Sequence, residues 1–221
     1  MRALKPTPRQ AVRAARTAGG LMRREAARKA IHLSSAVIPL LVWVLPRPLA
    51  VLLLVPVALA AVVIDTARMR MRAFRYIFLR WTRTLLRHHE RHGFAGATWM
   101  VIAYAAVLLL FPKAIAVAAM LFNGLGDAAA ALVGKRWGRH RTAWGKSWEG
   151  FAAGLATNVG VAIAVSALDG GLPLAAGLFG AAAAAAVEFA DLPLDDNLRV
   201  TVGGALAIAL AAAVLGIAGA G

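Results

Sequence analysis

The 221-residue chain has no cysteine, which excludes disulfides, thiolate metal ligands and cysteine nucleophiles. It is also poor in acid, with 10 Asp and Glu against 25 Lys and Arg, for a net charge of +15. Charged residues of either sign make up only 16% of the chain, too few to clothe a soluble domain of this length. An apolar content of 61% excludes disorder. Together with a mean hydropathy of +0.70, these shortages describe a polytopic membrane protein. The basic residues alternate with long apolar runs, so the positive charge reads as membrane topology and no nucleic-acid partner is expected.

A spanning helix needs roughly 20 mostly apolar residues. Seven stretches suit one: 30–46, 48–65, 94–111, 113–133, 150–168, 172–190 and 199–219. The expected fold is therefore all-α, a helical bundle of about seven transmembrane helices. Lys and Arg gather in 1–29, 68–91 and 135–146, leaving only Arg47, Lys113 and Arg199 elsewhere. With seven spans, the three clusters and Arg199 share one side, which the positive-inside rule makes cytoplasmic. The expectation is a multi-pass protein of a bacterial or archaeal plasma membrane with its N-terminus inside. It divides into a basic cytoplasmic arm, 1–29, and one transmembrane catalytic domain, 30–221. Within the latter, 66–92 has the basic and aromatic pattern of an interfacial amphipathic segment.

Of the ten acids, only Asp169 falls on the opposite side. A chain that gathers its ionisable groups at one membrane face is expected to have built a site there. Asn123-Gly-Leu-Gly-Asp127 interrupts an apolar span, and an ionisable residue at that depth reads as functional. Gly134-Lys135-Arg136 and Gly145-Lys146-Ser147-Trp148-Glu149-Gly150 follow. Glycines, lysines and a serine between two helix ends suit phosphate binding, through backbone N–H groups and a helix N-terminus. The string is no P-loop, because the glycine that motif requires is His140 here. Gly150 and Gly154 also have the spacing of a helix-packing contact. Arg28, Lys29 and His32 stand at the entry to the first span, and Asp65 ends the second, suited either to helix pairing or to a site role. Glu188, Asp191, Asp195, Asp196 and Asn197 close the sixth span; such oxygen ligands favour Mg²⁺, which is held by one or two carboxylates plus substrate phosphates.

Taken in order, Arg-Lys-x-x-His, Gly-Asp-Ala-Ala-Ala with Gly-Lys-Arg-x-Gly, Gly-Lys-Ser-x-Glu-Gly, and Glu followed by Leu-Asp-Asp-Asn resemble the membrane lipid-alcohol kinases, a family that includes dolichol kinase, phytol kinase and the CTP-dependent diacylglycerol kinases. The resemblance covers roughly residues 25–215. It implies phosphoryl transfer to a lipid alcohol, of the phytol, polyprenol or diacylglycerol type, from a nucleoside triphosphate. The donor it implies is CTP, with ATP as the alternative, and the cofactor Mg²⁺ or Mn²⁺. By position it implies catalytic roles for Asp127, Glu149, Lys146 and His32. The nucleotide would be held by Arg28, Lys29, Asn123, Gly134, Lys135, Arg136, Lys146, Ser147 and Asn197, and the metal by Asp127, Glu188, Asp195 and Asp196. Glu149, Asp65 and His32 are the candidate bases. Gly145–Gly150 also resembles the matching stretch of phosphatidate cytidylyltransferases, which makes a CDP-lipid synthase the alternative. A small-solute transporter is the third reading, disfavoured because the acids lie toward one face. Small-residue helix faces permit a homodimer.

Overall fold

The computed structural model describes residues 33–82, 90 and 93–216. The arm 1–29 with Arg28 and Lys29, His32, and the parts 83–89 and 91–92 of the interfacial segment lie outside the described residues.

Every regular element among the described residues is helical: α1 Val37–Val44, α2 Arg47–Arg70, α3 Arg72–Thr82, α4 Gly96–Leu110, α5 Lys113–Leu121, a π-helical segment Phe122–Gly126, α6 Asp127–Trp137, α7 Trp148–Ser166, α8 Leu174–Phe189 and α9 Asp196–Val214. Four helices are long and apolar enough to cross a membrane: Arg47–Arg70, the continuous rod Lys113–Trp137, Trp148–Ser166 and Asp196–Val214. Gly96–Leu110 and Leu174–Phe189 are apolar but shorter. The seven apolar stretches thus yield four helices of spanning length. Prolines set several of the limits, since α2, α5 and α8 each begin directly after one, at Pro46, Pro112 and Pro173. Their fixed φ suits helix entry, and their missing N–H would be unpaired there in any case.

The rod built from α5, the π segment and α6 is the centre of the bundle. Residues 114–121 of α5 are all buried, mostly alanine, so neighbouring backbones approach closely. Helices α6 and α7, α7 and α8, and α8 and α9 pack as successive neighbours, with α4 against α2 and α9. Gly150 and Gly154 mark the tightest approach, as their spacing predicts. A Cβ at Gly150 would meet the Ala130 carbonyl at 2.7 Å, and one at Gly154 the Ala130 Cβ at 3.1 Å.

At one end of the bundle, two basic residues close two turns. Arg47 Nη2 donates to the carbonyls of Leu108, Leu109 and Phe111 at 3.1, 3.3 and 3.1 Å, satisfying the open C-terminus of α4. Lys113 Nζ donates to the Leu45 carbonyl at 2.9 Å and lies 5.7 Å from the Trp43 ring centroid. Elsewhere, Asp65 and Arg68 are buried at 2% and 0% exposure. Arg68 Nε reaches Asp65 Oδ1 at 2.9 Å, while its two Nη groups donate to the carbonyls of Glu90 and Gly93 at 2.7 and 2.8 Å. Asp65 Oδ2 accepts from Ala95 N and Thr98 Oγ1, both at 2.7 Å. Of the two roles that suited Asp65, the geometry supports helix pairing: its carboxylate ties α2 to the start of α4.

Helix α3 packs on α2. Arg75 turns back to the Arg68 and Met69 carbonyls at 3.2 and 2.7 Å. Arg72, Tyr76, Ile77, Arg80 and Trp81 form the exposed face. A face of arginine, tyrosine and tryptophan fits the headgroup region of a bilayer.

Candidate functional site

A cleft of about 240 Å³ opens where α6, the 138–147 loop, α8 and the start of α9 meet. The loop is shaped by its own sequence. Thr142 N and Oγ1 donate to the Lys146 carbonyl at 2.8 and 3.1 Å, and Gly145 N to the Thr142 carbonyl at 3.0 Å. Gly145 takes φ +88°, a left-handed turn that glycine adopts without steric cost. Arg141 holds the turn against α6, donating to the carbonyls of Gly134 and Gly145 at 2.9 and 3.1 Å.

The six residues from Gly145 to Gly150 divide their work. Lys146 points into the cleft, where Nζ donates to the Glu188 carbonyl and lies 3.0 Å from Glu188 Oε1. Ser147 is the N-cap of α7, its Oγ accepting from Gly150 N at 3.1 Å, the usual role of serine there. Glycine is required around it, because a Cβ at Gly134 or Gly138 would stand 2.8 or 2.7 Å from Ser147 Oγ. Glu149 turns away, accepting from His140 N at 3.1 Å and pairing with His140 Nδ1 at 2.7 Å. Trp148 joins Trp144, Phe151 and Phe189 in an aromatic cluster at the rim, with Trp148 and Phe189 centroids 4.7 Å apart.

Of the residues implied by the motifs, Asp127, Gly134, Lys135, Lys146, Ser147, Glu188 and Asp196 line the cleft together. Others stand beside it. Asn123 is 1% exposed and donates to Asn197 Oδ1 at 3.3 Å. Asn197 Nδ2 donates in turn to the Gly96 carbonyl at 3.1 Å and Asp195 Oδ1 at 3.0 Å. This chain joins the π segment to the starts of α4 and α9. Asp195 caps α9, accepting from Asn197 N at 3.0 Å. Arg136 lies 5.4 Å from the Trp137 ring centroid and is not part of the cleft wall. Asp196 is paired with Arg199, whose Nη1 also donates to the Ala190 carbonyl at 2.7 Å. Arg141, Phe151 and Phe189 also line the cleft without having been singled out in the sequence. Arg141 was counted there only as one of the topology-setting charges.

Asp127, Glu188 and Asp196 are the carboxylates of the cleft wall, but among the described residues no three acidic or histidine side chains are grouped closely enough to hold a metal alone. Such a donor set fits Mg²⁺, which keeps several waters and takes further oxygens from substrate phosphates. It does not fit a metal caged wholly by protein.

No family model matches the chain, and no solved structure matches it. It is 27% identical over 117 residues to an uncharacterized protein of Rickettsia prowazekii, covering 52% of this chain and 57% of the relative. It is 32% identical over 76 residues to CTP-dependent diacylglycerol kinase 1 of Schizosaccharomyces pombe, covering 34% of this chain and 35% of that kinase. The chain thus spans little more than half of one relative and about a third of the other. An all-helical protein with helices long enough to cross a membrane, partly similar to a CTP-dependent diacylglycerol kinase, is compatible with a lipid kinase.

Proposed function

We propose that the chain is an integral-membrane lipid-alcohol kinase. The observation that carries this is the cleft itself. Lys146, Lys135 and Arg141 share one small space with Asp127, Glu188 and Asp196, the mixture of charge that a triphosphate with a divalent metal calls for. The partial likeness to a CTP-dependent diacylglycerol kinase supports CTP as the donor and a lipid hydroxyl as the acceptor. The basic clusters support a cytoplasmic position for this face.

In this reading the phosphates lie along the Gly134–Lys135 end of α6 and the Gly145–Lys146 turn. Lys146 and Lys135 offset the charge that spreads over the transferring group. Asp127 and Asp196 would hold Mg²⁺ or Mn²⁺, which when bound neutralises the triphosphate. Glu188 fixes the Lys146 ammonium. The acceptor oxygen forms a bond to the γ-phosphorus as the bond from that phosphorus to the β,γ-bridging oxygen breaks. Nucleoside diphosphate departs, and the hydroxyl proton passes to a cleft carboxylate. Glu149 and Asp65 are both engaged away from the cleft, which favours the cleft carboxylates over them as base.

The test is an assay of the purified protein in detergent with Mg²⁺. It crosses CTP, ATP, UTP and GTP with diacylglycerol, phytol, geranylgeraniol, a polyprenol and phosphatidate. Phosphorylated alcohol and nucleoside diphosphate, lost in Asp127→Asn, is the expected outcome. Pyrophosphate released with phosphatidate alone would make the protein a CDP-lipid synthase instead, and silence across the grid would sink the kinase reading.

A further inference from the structure

Behind the cleft, and sharing Asp127, Ala130, Phe151 and Glu188 with it, lies a second cavity of about 10 Å³. Phe122 and Gly126 of the π segment, with Ala185 and Val200, supply much of its apolar wall. Asn158 of α7 also lines it, is 2% exposed, and carries an Oδ1 with no hydrogen-bond partner. The amide orientation is fixed by its other end, because Nδ2 donates to the Ala181 carbonyl at 3.4 Å; reversing the amide would oppose two oxygens. Asn158 also packs directly over Gly126, where any Cβ would collide with Oδ1. A buried acceptor left unsatisfied costs about 1–3 kcal/mol. A helix interior built of alanine, valine and leucine had cheaper ways to fill this position.

We propose that this cavity is a hydration site that holds one ordered water behind the reaction cleft. The polar groups that line it, Asn158 Oδ1 and the carboxyl groups of Asp127 and Glu188, are acceptors. What joins two acceptors is a molecule with two donors. The volume matches the lower bound for a single water, about 10–15 Å³, and the site supplies the two or more polar partners such a water needs. The water donates one hydrogen to Asn158 Oδ1 and the other to a carboxylate of the same cavity. It thereby links α7 to the cleft through a group that no side chain provides. The site stands on Asn158 and its surroundings alone, and holds whether or not the cleft is that of a kinase.

X-ray radiolytic footprinting of the full chain in detergent tests this without any enzymatic readout. Hydroxyl radicals generated from a bound water oxygenate the nearest ring promptly, and Phe122, at 0% exposure, has no other source of them. Prompt oxygenation of Phe122 is expected in the wild-type protein, and its loss in Asn158→Leu with helical content retained. Thr201→Val removes the other unpartnered buried oxygen, outside the cavity wall, and is expected to keep the label. An unlabelled Phe122 in the wild type would overturn the site even if Asn158→Leu failed to fold. Undiminished labelling in a folded Asn158→Leu protein, or loss of the label in Thr201→Val, would overturn it equally.

Discussion

Two ion pairs of the same general kind behave differently in this molecule. Asp65 and Arg68 stand 2.7 Å apart with side chains 3% and 0% exposed; Lys146 and Glu188 stand 3.0 Å apart with side chains 14% exposed at the acid and 26% at the base. In the first pair, each charged group is surrounded by backbone and hydroxyl partners from within the fold. In the second, the lysine has one acidic residue beside it and a cleft in front. Identity and spacing of charge do not separate structural from functional pairs here. What separates them is whether the protein uses up the hydrogen-bonding capacity itself.

Breaking the closed pair should have the largest effect. Removing one partner of a buried ion pair costs roughly 3–5 kcal/mol, so Arg68→Ala or Asp65→Ala is expected to lower the thermal unfolding midpoint sharply, with activity lost alongside the fold. A variant as stable as the wild type would erase the distinction drawn above. Opening the other pair sharpens it: Lys146→Met should leave unfolding nearly unchanged while phosphoryl transfer falls about 10²–10³-fold, the range for losing one preorganised charge or donor. Undiminished turnover would remove Lys146 from the site.

Smaller effects follow from the packing around the cleft. Gly134→Ala sets a Cβ 2.8 Å from Ser147 Oγ and should cost about 1–3 kcal/mol by overpacking, read as a midpoint shift with activity reduced at most in proportion. Ser147→Ala removes the α7 cap and should cost about 1 kcal/mol. It is expected to leave the Michaelis constant for nucleotide near its wild-type value, and a large rise would give the hydroxyl a direct contact with phosphate.

Much of the architecture was legible because a membrane leaves few options. An apolar run of sufficient length has to be helical, and charge has to sit where water is. The ends were less legible. The chain Pro46-Arg47-Pro48 is readable as a turn, but not as an arginine that closes the C-terminus of a helix 61 residues away. The site was legible as a neighbourhood rather than as an assignment of roles. Lys146, Asp127 and Glu188 meet as their motifs imply, whereas Ser147, Glu149 and Asp195 stand in the same motifs to cap helices or brace a loop. A motif records which residue types recur together, and caps recur as faithfully as ligands do. Arg141 escaped notice because its value lies in reaching two carbonyls across a turn, which no spacing announces.

The π-helical segment at Phe122–Gly126 has a consequence for tolerance to insertion and deletion. One extra residue in a helix shifts the phase of everything after it by about 100°. The alanine face of α5 and the Asp127–Ala130–Gly134 stripe of α6 are thus set to different azimuths by a single added peptide unit. Deleting any one residue between 122 and 126 would restore regular helix and turn that stripe away from α7. No side chain would have been altered, yet the cleft would lose one wall.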